Sequence, residues 1–241
     1  MCFSVNVNLV KEELENRYGA TFLDPDKYSP SYYYHAFGLP QLPAVCSGYS
    51  DTIRLLRWGL IPSWVRSKAD AEEIRLKTFN ARSESIRSKP SFSVPFATKR
   101  CLIPVKGFFE WQHFDGGKVP WYITVKNEEI ISLAGLWDEW VESTTGVIFS
   151  TFTIVTTEAN ELMARIHNSK KRMPVILTGD QGKRWLDISL APAEVISLAS
   201  SCPSDLLDAH TISPLINSKT ANKNTPDLIA EYRWPSDGSL F

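Results

Sequence analysis

The stretch RCLIPVKGFFEW, residues 100–111, decides the fold. It holds two apolar runs separated by Lys106 and Gly107. Each is too short for a helix and is rich in the β-branched and aromatic residues that favour strands. Downstream, a turn at Asp115-Gly116-Gly117 leads to PWYITV (120–125), then IISLAGLW (130–137), VIFSTFTIV (147–155) and MPVIL (173–177). All read as further strands. Upstream, residues 2–7 alternate Cys, Ser and Asn with Phe and Val, which predicts another strand, and Lys11 to Tyr18 reads as a short helix. Residues 19–50 carry Gly19, Pro25, Pro30, Gly38 and Pro40 with a run of tyrosines, and read as an irregular wrap. Thr157 is the expected N-cap of a helix through Ile166, and 180–200 reads as two short helices.

No repeat, low-complexity segment or linker divides the chain. Strands spread from the first residues to the 170s, so the expectation is one α+β domain over residues 1–241. A mixed, barrel-like sheet would form its core, surrounded by short helices.

The composition, 43% hydrophobic with 12% aromatic, suits a packed core and argues against disorder. No apolar run reaches the length of a membrane span, and the N-terminus reads without a signal peptide. Four cysteines (Cys2, Cys46, Cys101, Cys202) in 241 residues do not make a disulfide framework. The expected setting is the reducing cytoplasm. There is no CxxC or HExxH, and the four histidines are scattered, so no metal is expected. Gly179-Asp-Gln-Gly-Lys183 is two residues short of a phosphate loop and reads as a turn opening a helix, so no nucleotide cofactor is expected either.

Charge is uneven although the net is −1: from Arg54 to Arg100, eleven basic residues face four acids. Trp58 and Trp64 lie inside that segment. Cations interleaved with rings suit single-stranded nucleic acid, where one holds phosphates and the other stacks on bases. A solvated basic face over two core tryptophans is the plainer alternative.

Cys2 follows the initiator methionine directly. If Met1 is removed, a free α-amine and a thiol stand on adjacent carbons, a 1,2-aminothiol that condenses with aldehydes to a five-membered ring. The amine has a reference pKa of about 8 and the thiol about 8.5, so the reaction needs acid–base help. Glu110, a carboxylate in an aromatic strand, is one candidate, its pKa raised by apolar neighbours; an edge residue facing solvent is the alternative. His167 is another: behind a helix ending near Ile166, the dipole favours imidazolium and proton donation, or the ring merely caps the helix. Asn80 either orients the terminus or caps a helix.

Together, MC at the start, WGLIPSW (58–64), NARSE (80–84), RCLIPV with GFFEW, AGLW (134–137) and RMPVIL (172–177) behind His167 resemble the SRAP family. The name stands for SOS-response-associated peptidase, and members are described as abasic-site processing proteins. The matches run from residue 2 to about 218, where Ile216-Asn217-Ser218 is similar to the closing motif, leaving 219–241 as a C-terminal tail. The resemblance implies that Cys2 attacks the ring-opened aldehyde of an abasic site in single-stranded DNA and closes a thiazolidine crosslink. It further implies that Asn80 positions the terminus, Glu110 handles protons at the amine, and His167 assists sugar opening and reversal. Arg82, Trp64, Trp111, Arg87 and Arg172 would lie along the DNA, and a monomer would suffice. Two departures stand out. Phe3 and Ser4 replace the usual Gly-Arg after Cys2, removing a phosphate contact. Asn168-Ser-Lys-Lys171 intervenes between His167 and Arg172, where a loop is expected that leaves the imidazole in place.

Two other functions remain open on the sequence. One is an N-terminal-nucleophile peptidase or amidase using Cys2; the other is non-covalent single-strand binding by the basic face.

Overall fold

A computed structural model of the chain describes residues 1–115 and 117–234. Gly116, the middle of the expected 115–117 turn, lies outside the described residues. In chain order the first strands are β1 (Ser4–Val7), β2 (Thr21–Phe22), β3 (Ser31–His35), β4 (Gln41–Cys46), β5 (Tyr49–Trp58) and β6 (Asn80–Arg82). The stretch RCLIPVKGFFEW forms β7 (Arg100–Val105) and the start of β8 (Gly107–Phe114). Then come β9 (Gly117–Val125), β10 (Ile131–Val141), β11 (Ile148–Glu158), β12 (Arg172–Pro174), β13 (Ile176–Leu177) and β14 (Leu207–Thr211). Short helices fill the gaps: α1 (Lys11–Tyr18), α2 (Lys68–Arg75), α3 (Ser93–Thr98), α4 (Glu161–Ile166), α5 (Gln181–Leu186) and α6 (Pro192–Leu198).

Five strands close a ring in the order β5-β4-β7-β10-β11, shut by a parallel pairing of β11 with β5 at Thr151–Arg57 and Phe152–Trp58. The other four contacts are antiparallel, so this is a mixed barrel with no free edge within the ring. A second sheet, β14-β9-β8-β1-β3, lies against it. The crossing between them is Lys106-Gly107. A Cβ at Gly107 would stand 2.6 Å from the Ile123 carbonyl oxygen and the Tyr122 ring, so glycine alone fits where the chain leaves the barrel.

Inside the ring, Trp58 stacks on Phe152 with centroids 5.7 Å apart and donates its Nε1–H to the Phe79 carbonyl. Arg100 is buried at the base of β7 without a carboxylate among its hydrogen-bond partners. Its guanidinium instead donates to the carbonyls of Trp185, Phe96, Ala97 and Asp187 at 2.5–3.1 Å. A buried cation persists when each of its nitrogens finds an acceptor, as all three do here.

Two expectations are corrected. Residues 19–50 are not an irregular wrap: they supply β2, β3 and β4, and their prolines and glycines turn corners between short strands or, as Pro43 does, sit within one opposite Leu55. Thr157 does not cap a helix, because β11 runs on to Glu158 and pairs Thr157 with Met173. Asn160 caps α4 instead, its Oδ1 accepting the Met163 amide at 2.9 Å. Residues 219–234 lie back on the second sheet, with Leu228 buried and Tyr232 donating to the Thr211 carbonyl. Among the described residues no helix is long and apolar enough to cross a membrane.

Arg100→Lys should lower stability by roughly 2–4 kcal/mol, since a point-charge ammonium with three donors cannot serve four carbonyls in a guanidinium-shaped site. Urea unfolding of the variant against wild type checks this.

Candidate active site

The site forms where β1 begins. β1 is held on both sides, by β8 (Ser4–Phe109, Val5–Phe108) and by β3 (Ser4–His35, Val5–Tyr34), and this fixes the amino terminus against the barrel. Cys2 is fully buried in the main core. Val5 and Phe108 face that core while Ser4 and Phe109 face the opposite side, so β1 is covered on both faces rather than one.

Around the terminus stand two groups from distant parts of the chain. Glu110, in β8, places Oε1 3.6 Å from the Met1 ammonium. His167, the residue that ends α4, places Nε2 3.2 Å from the same nitrogen and 3.7 Å from Glu110 Oε2. The Nδ1 of His167 lies 2.8 Å from the Arg172 carbonyl, which only accepts, so the proton sits on Nδ1 and Nε2 presents a lone pair. The intervening residues form a tight turn, with the Lys171 amide donating to the His167 carbonyl. Asn168 latches that turn to β8 by exchanging hydrogen bonds with the His113 backbone.

Burial dominates the electrostatics. It pushes Glu110 up to about 7, against the pull of the terminal ammonium. Burial, seconded by that ammonium, pushes His167 down to about 4. The expectation of an imidazolium at the end of α4 is therefore corrected: desolvation outweighs a six-residue helix dipole, and His167 is a neutral base at pH 7. Burial, then the Glu110 charge, raise the Cys2 thiol far above its ordinary value, so the sulfur is a thiol at rest.

The remaining sequence candidates divide. Asn80 lies on β6, beside Phe79, whose ring packs edge-on against Phe3 at 6.2 Å. Neither its Nδ2 nor its Oδ1 has a partner although both are buried. Arg82 and Arg87 are exposed. Trp64 is 54% exposed, whereas Trp58 is core, so one tryptophan of the basic segment faces solvent. Trp111 is half-buried and donates to Asn217 Oδ1 at 2.9 Å. Arg172 is placed differently from a DNA contact: it is buried, paired with Glu84, and donates to the Thr156 carbonyl at 2.7 Å. Its part in the site is its own carbonyl, which orients His167. Nothing in the sequence signalled that, because a backbone acceptor leaves no trace in residue type.

Fold and site together define an α+β barrel protein that presents its amino terminus and adjacent cysteine to a buried carboxyl–imidazole pair. The chain belongs to the SOS response associated peptidase (SRAP) family, whose model matches residues 1–219. It is 38% identical over 213 residues to the abasic site processing protein YoqW of Bacillus subtilis, covering 88% of this chain and 90% of that one. To the abasic site processing protein HMCES of Gallus gallus it is 33% identical over 195 residues, 72% of this chain and 56% of the relative. A crystal structure of a Bacteroides thetaiotaomicron protein superposes with a TM-score of 0.91 at 38% identity, covering 96% of this chain and all of that one.

Glu110→Gln should change stability in a pH-dependent way. A carboxyl whose folded pKa exceeds its unfolded value stabilises below the unfolded value, near 4.5, and loses that contribution as pH rises through about 7. Wild type and variant should therefore melt alike near pH 5. At pH 8 the variant should be the more stable, by on the order of a few kcal/mol, and melt higher, as thermal unfolding at the two pH values will show.

Proposed function

We propose that this protein processes abasic sites in single-stranded DNA by closing a thiazolidine between Cys2 and the sugar aldehyde, once Met1 has been removed. The observation that carries the reading is the amino terminus itself, within 3.2 Å of His167 Nε2 and 3.6 Å of Glu110 Oε1, with a cysteine next in line. The names of the relatives support the substrate, an abasic site.

The chemistry needs no oxidant. The Cys2 amine, neutral after giving a proton to the Glu110 carboxylate, adds to the aldehyde carbon. The carbinolamine oxygen leaves as water with a proton from Glu110, which near pH 7 is partly protonated. The Cys2 sulfur then adds to the iminium carbon while its proton passes to the Glu110 carboxylate. Amine, thiol and aldehyde become a thiazolidine and one water, and the same carboxyl runs the steps backward for release. His167 as a neutral base also suits removal of the sugar hydroxyl proton that opens the furanose to the aldehyde.

The unpartnered amide of Asn80 supports a ligand role. A buried polar group without a partner costs about 1–3 kcal/mol, and a sugar or aldehyde oxygen would satisfy it. Arg82, Arg87, Trp64 and Trp111 are the proposed contacts along the strand; Arg172 is a positioning residue. All the reacting groups come from one chain, which suits a monomer. A role in DNA repair, in the cytoplasm and on DNA, follows from the substrate.

A hydrolytic second reading rests on the placement of Met1: its ammonium is held by Glu110 and His167, and the same pair would assist release of this residue. The neutral, buried thiol makes Cys2 a weak nucleophile for amides in general.

Mature protein incubated with an abasic oligonucleotide should give a heat-stable adduct by denaturing gel, absent in Cys2→Ala; Cys2→Ser should stop at a reversible imine. An adduct of undiminished yield in Cys2→Ala would overturn the reading. Asn80→Ala should form the adduct at least about tenfold more slowly while losing no stability, because it removes an unsatisfied group.

A further inference from the structure

Strand β3 ends in a row of rings that neither the composition nor the family match explains. Tyr33 and His35 stack nearly parallel, 8° between planes with centroids 6.0 Å apart. His35 meets Phe37 at 5.5 Å. Phe37 meets Phe79 at 4.9 Å and Phe3 at 5.5 Å. These last two are the residues next to Asn80 and Cys2, so the row runs from the edge of the second sheet into the site. Residues 33 and 35 share a face of β3 by the strand's period of two, and Phe37 continues the line. Phe37 is 58% exposed, unusual for a phenylalanine at the centre of three aromatic contacts.

The far end of the row carries a cation. Lys223 Nζ lies 4.9 Å from the centre of the Tyr33 ring. Among the described residues no carboxylate comes within ion-pair distance of it. The segment bearing it is fastened: Asn224 Oδ1 accepts the Tyr32 amide at 3.0 Å, and Glu231 bridges to Ile212. Lys223 lies beyond residue 219, where the family match ends. His35 does not compete for an anion as a second cation, since burial holds its pKa down and Ser4 Oγ occupies Nδ1 at 2.9 Å.

We infer that the row Phe37-His35-Tyr33, closed by Lys223, is a binding track for the single strand flanking the lesion, with a base stacked on Phe37 and a backbone phosphate at Lys223. An ammonium without a carboxylate partner at the end of a row of half-buried and exposed rings is the pairing of charge and π-surface that single strands require. The track starts beside Cys2, where Phe3 and Ser4 supply no cation, and Lys223 brings a positive charge from a different part of the chain. The inference rests on DNA being the ligand of the adjoining site, though not on the covalent step.

The test separates the two. In full-length Cys2→Ala protein, which cannot crosslink, binding of a fluorescent single-stranded oligonucleotide is followed by anisotropy across a range of salt. Adding Phe37→Ala should weaken binding about tenfold, and Phe37→Trp should restore it. Adding Lys223→Ala should weaken binding and reduce the salt slope by about one, with Lys223→Arg near wild type. Both side chains are at least partly exposed, so folding should survive, and circular dichroism checks it. Unchanged affinity in both alanine variants overturns the track. Weakened binding, in a protein whose Cys2 form makes no adduct, upholds the track and removes the crosslinking proposal alone.

Discussion

The structure depends on where the first strand starts. β1 lies between β3 and β8, and that double pairing delivers the amino terminus to a point a free chain end would rarely occupy. Glu110 belongs to β8, the strand beside β1, so the same ladder that holds the terminus also fixes its carboxyl partner. His167 arrives from elsewhere, at the end of α4, oriented by the Arg172 carbonyl. Arg172 is itself locked to Glu84 and Thr156. A terminal amine, a carboxyl and an imidazole thus meet because one ladder of the second sheet holds the first two and a separately anchored helix end brings the third.

Desolvation gives that meeting its chemistry. In water the carboxyl would be an anion and the imidazole partly a cation, and they would simply pair. Buried, Glu110 is pushed up to about 7 and His167 down to about 4, so at neutral pH both can stay uncharged and either can trade a proton. The ammonium opposes the first shift and assists the second. Met1 occupies this position in the full chain, and its removal would transfer the role to the amine that shares a carbon framework with the Cys2 sulfur.

Much of this was legible in the sequence, for identifiable reasons. The runs at 100–105, 107–111, 130–137 and 147–155 read directly as strands because they are short, mostly apolar and rich in β-branched and aromatic residues. Glu110 stood out as a carboxylate among rings. The 19–50 region misled because short strands joined by prolines and glycines look locally like a loop, and only their partners in β1, β5 and β7 make them strands. The tyrosine run concealed the alternation at 33 and 35 for the same reason. The helix dipole at His167 was a sound local expectation, overruled by burial that residue type does not reveal. Arg172 reads in the sequence as one more cation because its partners lie 88 and 16 residues away.

The central claim is that an unblocked amine beside Glu110 and His167 is the reacting group. Intact mass spectrometry of two preparations, one starting at Cys2 and one retaining Met1, after exposure to an abasic oligonucleotide tests it most directly. The protein starting at Cys2 should gain the mass of the oligonucleotide less one water, and the Met1-retaining protein should remain unmodified. Equal modification of both, with Met1 still attached, would contradict the account.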